Sequence, residues 1–361
     1  MYIAHGYAAQ SATGRLEPFT FERRDLRAND VLIDILYSGV CHSDIHTVRN
    51  EWEGSVYPDG TIYPALPGHE IVGRVRAIGD AVTKFNAGDL VAVGTMVDSC
   101  AECANCKRGL EQFCQLGATW TYNSPDRISG ANTYGGYSDL IVVRQEFVLK
   151  VTHAKEDLAA VAPLLCAGIT MWSPLRHWEA GPGKKVGIVG IGGLGHMGIK
   201  LARALGAHVV AFTTSESKRT DALALGADEV VLSRDANEMK RHAGSLDLIV
   251  NAVAVQHELD AYLGLLNLDG TMALVGVPAE PHPSPSVTNL IFGRRSLAGS
   301  LVGGISETQE LLDFSAKNRI LADIETIPIA RIEDAFERMG RSDIKYRFVI
   351  DMQSASNSTR S

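Results

Sequence analysis

Four cysteines fall within fifteen residues, Cys100-x2-Cys103-x2-Cys106-x7-Cys114. Thiolates are soft ligands, and this spacing lets one loop wrap an ion, so the cluster satisfies a closed tetrahedral zinc site by itself. Two further cysteines stand far from it, in Cys41-His42-Ser43-Asp44-Ile45-His46 and in Pro163-Leu164-Leu165-Cys166-Ala167-Gly168. A working zinc needs three or four ligands and one exchangeable position. Candidates are Cys41, Cys166 and the His69-Glu70 pair in Leu66-Pro67-Gly68-His69-Glu70, where Pro67 and Gly68 put His69 on a turn entering a strand. The expectation is a structural metal in one place and a catalytic metal in another. Taken alone, Cys41 and Cys166 also read as buried free thiols, and His69 as a satisfied structural histidine.

A second chemical element is Gly190-Ile191-Gly192-Gly193-Leu194-Gly195, which follows the apolar run Lys185–Val189 and opens a helical pattern through Met197, Leu201 and Leu205. Glycines there permit a tight turn and close backbone approach, while the helix start offers unpaired N–H groups to a pyrophosphate. An NAD site wants an acid at the end of the second strand. This chain instead has Phe212-Thr213-Thr214-Ser215-Glu216-Ser217-Lys218-Arg219. Hydroxyls at Thr213, Thr214 and Ser215, with Lys218 and Arg219, donate well to a 2′-phosphate and favour NADP(H). Glu216, past the strand end, is the residue that speaks against it.

The elements that must hold these groups fall into two styles. Up to about His153, short β-like runs separated by turn residues predict a β-rich domain: Val31–Leu36, Glu70–Val75, Leu90–Val93 and Asp139–Val143. From Lys185 onward strands and helices alternate: Lys185–Gly190, His208–Phe212, a helix around Ala222–Leu225, Glu229–Leu232, Leu246–Val250, a helix Glu258–Leu266 and Thr271–Gly276. That rhythm predicts βαβ units and a parallel, doubly wound sheet, an α/β fold. Helices Thr308–Lys317 and Ile332–Arg341 and a strand Tyr346–Ile350 follow, then a frayed polar tail over 353–361. Pro278, Pro281, Pro283 and Pro285 mark an extended surface loop with no evident chemistry.

At 361 residues the chain suits two domains, and 45% hydrophobic with 21% charged residues describes a globular protein. With 34 basic against 42 acidic residues, a net charge of −8 and no long basic run, no nucleic-acid partner is expected. No run approaches the ~18 apolar residues of a membrane span, and Met1–Gly6 lacks the pattern of a secretory signal. Six cysteines then fit reduced thiols in a cytoplasmic protein.

Together these motifs resemble the zinc-dependent medium-chain alcohol dehydrogenases, and within them the cinnamyl alcohol dehydrogenase branch of NADP-dependent aldehyde reductases. The resemblance runs from Gly39-Val40-Cys41-His42-Ser43-Asp44-Ile45-His46 through Gly68-His69-Glu70, the cysteine lobe, Leu164–Thr170 and Gly190–Gly195 to Lys345–Ile350. It implies a GroES-like β-rich catalytic domain, 1–166 with 303–361, carrying both zincs. A Rossmann NADP-binding domain, 167–302, interrupts it, with the active site in the cleft between them. It implies a homodimer through the Rossmann domains. It makes Cys41, His69 and Cys166 the catalytic zinc ligands, the Cys2His set for which that family is known. Glu70 is then either a displaceable fourth ligand or a carboxylate behind the ligands, and Asp44 the group that orients His69. Thr170 would touch the nicotinamide end, His42 and Lys345 the pyrophosphate. Trp52 and Trp120 are either apolar walls for the substrate or ordinary packing. The segment Tyr57–Pro64 is longer than that branch's pattern, which alters the substrate mouth rather than the chemistry.

The implied reaction is hydride transfer between NADPH and an aromatic or aliphatic aldehyde, giving a primary alcohol. Ser43 would supply the proton and His46 replenish it. The competing readings are an NAD-dependent polyol dehydrogenase, against which residues 213–215 argue, and a non-catalytic dinucleotide-binding protein, against which the intact ligand set argues. Replacing Thr213 by Asp is expected to raise the Michaelis constant for NADPH more than that for NADH. Equal efficiency with both cofactors in the unmodified chain would reject the NADP preference.

Overall fold

The computed structural model describes residues 1–341 and 343–354, so most of the expected polar tail lies outside the described residues. Two compact units emerge, residues 1–166 together with the chain from Gly303 onward, and Ala167–Val302.

The first unit is built on a seven-stranded sheet. Its central strand, Asp30–Gly39, buries Val31, Leu32, Ile33 and Ile35, β-branched and apolar residues suited to a pleated face. Ile71–Ile78 and Leu140–Arg144 pair with it antiparallel, and Leu90–Val93 and Leu149–Lys150 extend the sheet beyond Ile71–Ile78. Arg347–Asp351 also pairs antiparallel with the central strand, with Val349 opposite Gly39, and Ile324–Pro328 lies parallel to it at the edge. The end of the chain is thereby brought beside Cys41: the Val40 N–H donates to the Phe348 carbonyl at 2.9 Å. Phe348, Ile33, Ile71 and Val91 are fully buried in the core that locks this arrangement.

The second unit is a six-stranded sheet in the order Glu229–Leu232, His208–Thr213, Lys185–Val189, Leu246–Asn251, Leu266–Leu274, Ser296–Gly299. Every neighbouring pair is parallel. Strand order reverses between Lys185–Val189 and Leu246–Asn251, which opens a crevice at the carboxyl ends of those strands. Its strands are nearly continuous buried runs, as in Val186, Ile188 and Val189, because helices cover both faces of such a sheet.

Two expectations change. The helix read over Glu258–Leu266 is confined to Asp260–Leu263, because Leu266 is drawn into the sheet opposite Leu246. The sequence pattern also passed over the helix Ala167–His177, which carries Pro174 within it and buries most of its side chains, so no amphipathic period shows. Among the described residues, no single helix is long and apolar enough to cross a membrane.

Candidate active site and metal centres

Cys41 follows the central strand, which ends at Gly39, and caps the helix His42–Val48. Asp44, at the third helical position, accepts the Cys41 N–H at 2.9 Å, so the turn carrying the thiol is fixed by its own capping residue. The same carboxylate accepts the Gly68 N–H at 3.2 Å, bonds His69 Nδ1 at 3.1 Å and takes the Tyr137 hydroxyl at 3.0 Å. His69 Nδ1 therefore donates to Asp44, leaving Nε2 as the free ligand atom. Gly68 has φ +104, and a Cβ on it would meet the Gly136 and Tyr137 backbones at 2.8 Å, so the turn before His69 requires glycine.

Ligand atoms of Cys41, His69, Glu70 and Cys166 all lie within 4.8 Å of one another and all four residues are buried. The Cys41 and Cys166 sulfurs are 3.8 Å apart, far from the ~2.0 Å of a disulfide. A tetrahedral zinc with ~2.3 Å Zn–S bonds separates two sulfurs by ~3.8 Å, so this donor set fits the ion. The hydrogen bond from Cys166 holds the Cys41 thiol well below its ordinary range despite burial, with Arg347 and His69 assisting. That same bond, with burial, holds Cys166 well above it. Burial works against a charged His69, but the Asp44 carboxylate outweighs it and keeps the ring's pKa well above the usual value.

Burial pushes Glu70 up to about 7 against the pull of Arg347, whose guanidinium donates to Glu70 Oε1. Glu70 Oε2 is buried and has no hydrogen-bond partner among the described residues. A Cβ on Gly39 would sit 1.8 Å from that oxygen, so glycine there makes room for the carboxylate beside the cluster.

In the cysteine lobe, the four sulfurs of Cys100, Cys103, Cys106 and Cys114 also converge within 4.8 Å. Cys100–Cys106 and Cys103–Cys106 separations of 3.9 and 3.5 Å bracket the ~3.8 Å edge of a tetrahedral zinc-thiolate site. Backbone N–H groups of Cys106 and Gln115 donate to Cys103 and lower its thiol to about 6, while burial pushes Cys106 up to about 12. Repulsion among sulfurs this close lets few ionise unaided; a divalent cation lets all four. Arg127 reaches Cys114 Sγ at 3.7 Å and ties the lobe to the Gly117 carbonyl at 2.6 Å.

Ser43 is half-buried with Oγ 3.6 Å from Cys41 Sγ. His46, three residues on, bonds Glu51 through Nδ1 at 2.5 Å and stacks on Trp52 with ring centres 5.0 Å apart. His42 is exposed on the same helix, and Lys345 is exposed before buried Tyr346. Trp120 is half-buried against the β core, whereas Tyr122 is the ring beside His69, 5.5 Å between centres. Tyr137, Arg347, Glu51 and Tyr122 were missed by sequence reasoning. Gly135-Gly136-Tyr137 was the only local signal among them, a glycine pair allowing close approach.

In the second unit, Gly190 has φ +89, and a Cβ on Gly195 would collide with the Gly190 carbonyl oxygen at 1.8 Å, so Gly190, Gly192, Gly193, Leu194 and Gly195 form the expected tight strand-to-helix turn. Thr213 closes the second strand; its Oγ1 accepts the Ser215 N–H at 3.1 Å. Lys218 folds back so that Nζ donates to the Ile191 carbonyl at 2.8 Å, joining the hydroxyl run to the glycine loop. Arg219 is engaged elsewhere, on Glu216 at 2.9 Å and Glu238 at 3.1 Å, which removes it from the expected phosphate set and turns Glu216 toward it. Thr214 is exposed at the strand end, and Thr170 is buried in the helix Ala167–His177.

The Asp44 network yields a test. Asp44→Asn keeps the shape but turns a donor toward N–H groups, and is expected to cut zinc affinity ~10–100-fold, with Tyr137→Phe costing less. Chelator competition measures both; unchanged affinity in Asp44→Asn would contradict the role given to this carboxylate.

The alcohol dehydrogenase GroES-like domain model matches residues 27–153 and the zinc-binding dehydrogenase model residues 193–317. The chain is 62% identical to aldehyde reductase YahK of Escherichia coli over 95% of its length and 96% of that protein's. It is 50% identical to NADP-dependent alcohol dehydrogenase C 1 of Mycolicibacterium smegmatis over 98% and 99% of the two chains. The structure of a cinnamyl alcohol dehydrogenase from Helicobacter pylori complexed with NADP(H) superposes with a TM-score of 0.89 at 41% identity, covering 97% of this chain and 98% of that one. Both family models and relatives of full length at half identity or more agree with the motifs, and the chain belongs to the zinc-dependent medium-chain alcohol dehydrogenases.

Proposed function

We propose that the protein is a zinc-dependent NADP(H) alcohol dehydrogenase acting as an aldehyde reductase, converting aromatic and aliphatic aldehydes to primary alcohols. The observation that carries this reading is the convergence of buried Cys41, His69, Glu70 and Cys166. Its similarity to an aldehyde reductase, an NADP-dependent alcohol dehydrogenase and an NADP(H)-bound structure supports the cofactor and the direction.

Cys41, His69 and Cys166 would hold the catalytic zinc, with Glu70 as a displaceable ligand, and Cys100, Cys103, Cys106 and Cys114 the structural one. When bound, the zinc polarises the carbonyl oxygen and NADPH supplies the hydride. Ser43, anchored two residues from Cys41, delivers the proton to the substrate oxygen. His46 resupplies it, its ring held in place by Glu51 and Trp52. Thr213, Thr214, Ser215 and Lys218 would receive the 2′-phosphate, the Gly190–Gly195 turn, His42 and Lys345 the pyrophosphate, and Thr170 the nicotinamide. Trp52 and Trp120 would line the substrate's path. In this reading 1–166 with 303–361 is the catalytic domain and 167–302 the cofactor domain, and the enzyme works in the cytoplasm as a homodimer through its cofactor domains.

A spectrophotometric screen of aldehydes with NADPH and NADH, with and without a zinc chelator, is expected to show chelator-sensitive reduction preferring NADPH. Faster oxidation of secondary polyols with NAD at equal pH would favour a polyol dehydrogenase. Within the relay, Ser43→Ala is expected to lower turnover by ~10²–10⁴-fold and His46→Ala by less, since water partly replaces an outer donor. External imidazole should recover part of the His46→Ala loss. Near-normal turnover in Ser43→Ala, with hydride transfer limiting, would remove Ser43 from the mechanism.

A further inference from the structure

The strand Leu246–Asn251 ends level with Val189, the residue before the glycine turn: Asn251 faces Val189 in the sheet, and the Ala252 N–H donates to the Val189 carbonyl at 3.0 Å. The loop that follows touches the turn itself. Val253 Cγ2 would lie 2.9 Å from a Cβ on Gly190, and the Val253 carbonyl oxygen 2.7 Å from one on Gly276. Val253 is thus wedged between two glycines at the carboxyl end of the sheet, and its position sets the space around Gly190.

A closed set of hydrogen bonds holds this loop. Asn251 is 1% exposed. Its Oδ1 accepts the Val253 N–H at 3.1 Å, which leaves Nδ2 facing His257 Nε2 at 2.8 Å. An amide nitrogen only donates, so Nε2 must accept, and the ring proton lies on Nδ1, which donates to the Val255 carbonyl at 2.8 Å. One neutral tautomer of His257 satisfies every partner. The otherwise unexplained proline-rich loop is fastened to the same place: Gln256 Nε2 donates to the Pro281 carbonyl at 2.7 Å, and the His257 N–H to His282 Nδ1 at 3.4 Å. The His257 ring packs edge-on against His282 and Tyr262, 4.6 and 5.9 Å between centres.

We propose that His257 is a positioning residue for the dinucleotide: acting through Asn251, it fixes residues 252–257 so that Val253 holds the Gly190 turn in its cofactor-binding shape. This rests on the reading of Gly190–Gly195 as the dinucleotide turn. Without His257 the buried Asn251 amide loses its acceptor, and the loop loses both its internal clasp and its link to the proline-rich segment.

The test is NADPH binding to the full-length, zinc-loaded protein, followed by cofactor fluorescence and by steady-state kinetics, for the unmodified chain, His257→Leu and His257→Gln. Leu fills similar space without either ring nitrogen, while the Gln amide can accept from Asn251. Leu is expected to weaken NADPH binding roughly tenfold, with the loss appearing in KM for NADPH and a much smaller change in kcat, and Gln to restore most of it. His257→Leu binding as tightly as the unmodified chain, or His257→Gln as weakly as Leu, overturns the role. Equal falls in melting temperature and in NADPH affinity for both variants assign His257 to general packing and overturn it as well. Failure of the unmodified chain to bind either NADPH or NADH rejects instead the dinucleotide reading on which the proposal stands.

Discussion

The buried carboxylate of Asp44 is the constraint on which the Cys41–His69–Glu70–Cys166 cluster depends. It is fully inaccessible, and a charge in that position is tolerable only where donors surround it. Cys41, Gly68, His69 and Tyr137 each give it one hydrogen bond. Three of them come from the segments that carry Cys41 and His69, so a single carboxylate ties the thiol-bearing helix start to the imidazole-bearing turn. The fourth, Tyr137, brings in the segment whose backbone clamps that turn, with the Tyr137 and Gly136 N–H groups on the Pro67 and Gly68 carbonyls at 3.0 and 2.8 Å. Charge-assisted bonds of this kind hold ligands in place before any ion arrives, which reduces the ordering cost of binding one.

What could be read in the sequence was what is local. The strands Leu90–Val93 and Glu229–Leu232 begin and end where apolar runs meet turn residues, and the cysteine lobe and glycine turn carry their spacing within a few residues. Glu258–Leu266 misled because a helical run of leucines and a buried strand start look alike when Leu266 pairs outside its own segment. The groups that no local pattern marks act across the chain. Arg347 meets Glu70 from 277 residues away and Tyr137 meets Asp44 from 93, and no periodicity encodes such a meeting. Glu51 and Tyr122 are ordinary residue types whose placement, against His46 and His69, is purely tertiary.

The two cysteine clusters solve the same charge problem differently. In the lobe, the donors are backbone N–H groups of the wrapping loop, so the loop's own conformation stabilises the thiolates. The other cluster is buried, and the compensation is ionic: Arg347, 3% exposed, sits against a Glu70 that is fully buried, close enough to favour the Cys41 thiolate too. A buried guanidinium with one carboxylate oxygen bonded and the other free is a poor arrangement for stability alone. It makes sense where the free oxygen and the thiolates share a further positive partner, which is the physical content of assigning a metal there.

Cofactor choice in the proposed reading turns on how charges are spent near Thr213. A carboxylate at the strand end would repel a phosphate, and the chain puts a hydroxyl there. The nearest acid in sequence, Glu216, is neutralised by Arg219, which is itself anchored to Glu238 and to the Val230 carbonyl. Lys218 is left on the other side, tethered by one N–H to Ile191 and lowered from its usual pKa by burial. A partly desolvated ammonium with donors to spare gains more from an incoming phosphate than a free surface lysine does, because its hydration has already been given up and its stem is already ordered. Selectivity on this argument lies less in the presence of positive charge than in the Arg219–Glu216 pairing that takes the competing carboxylate away.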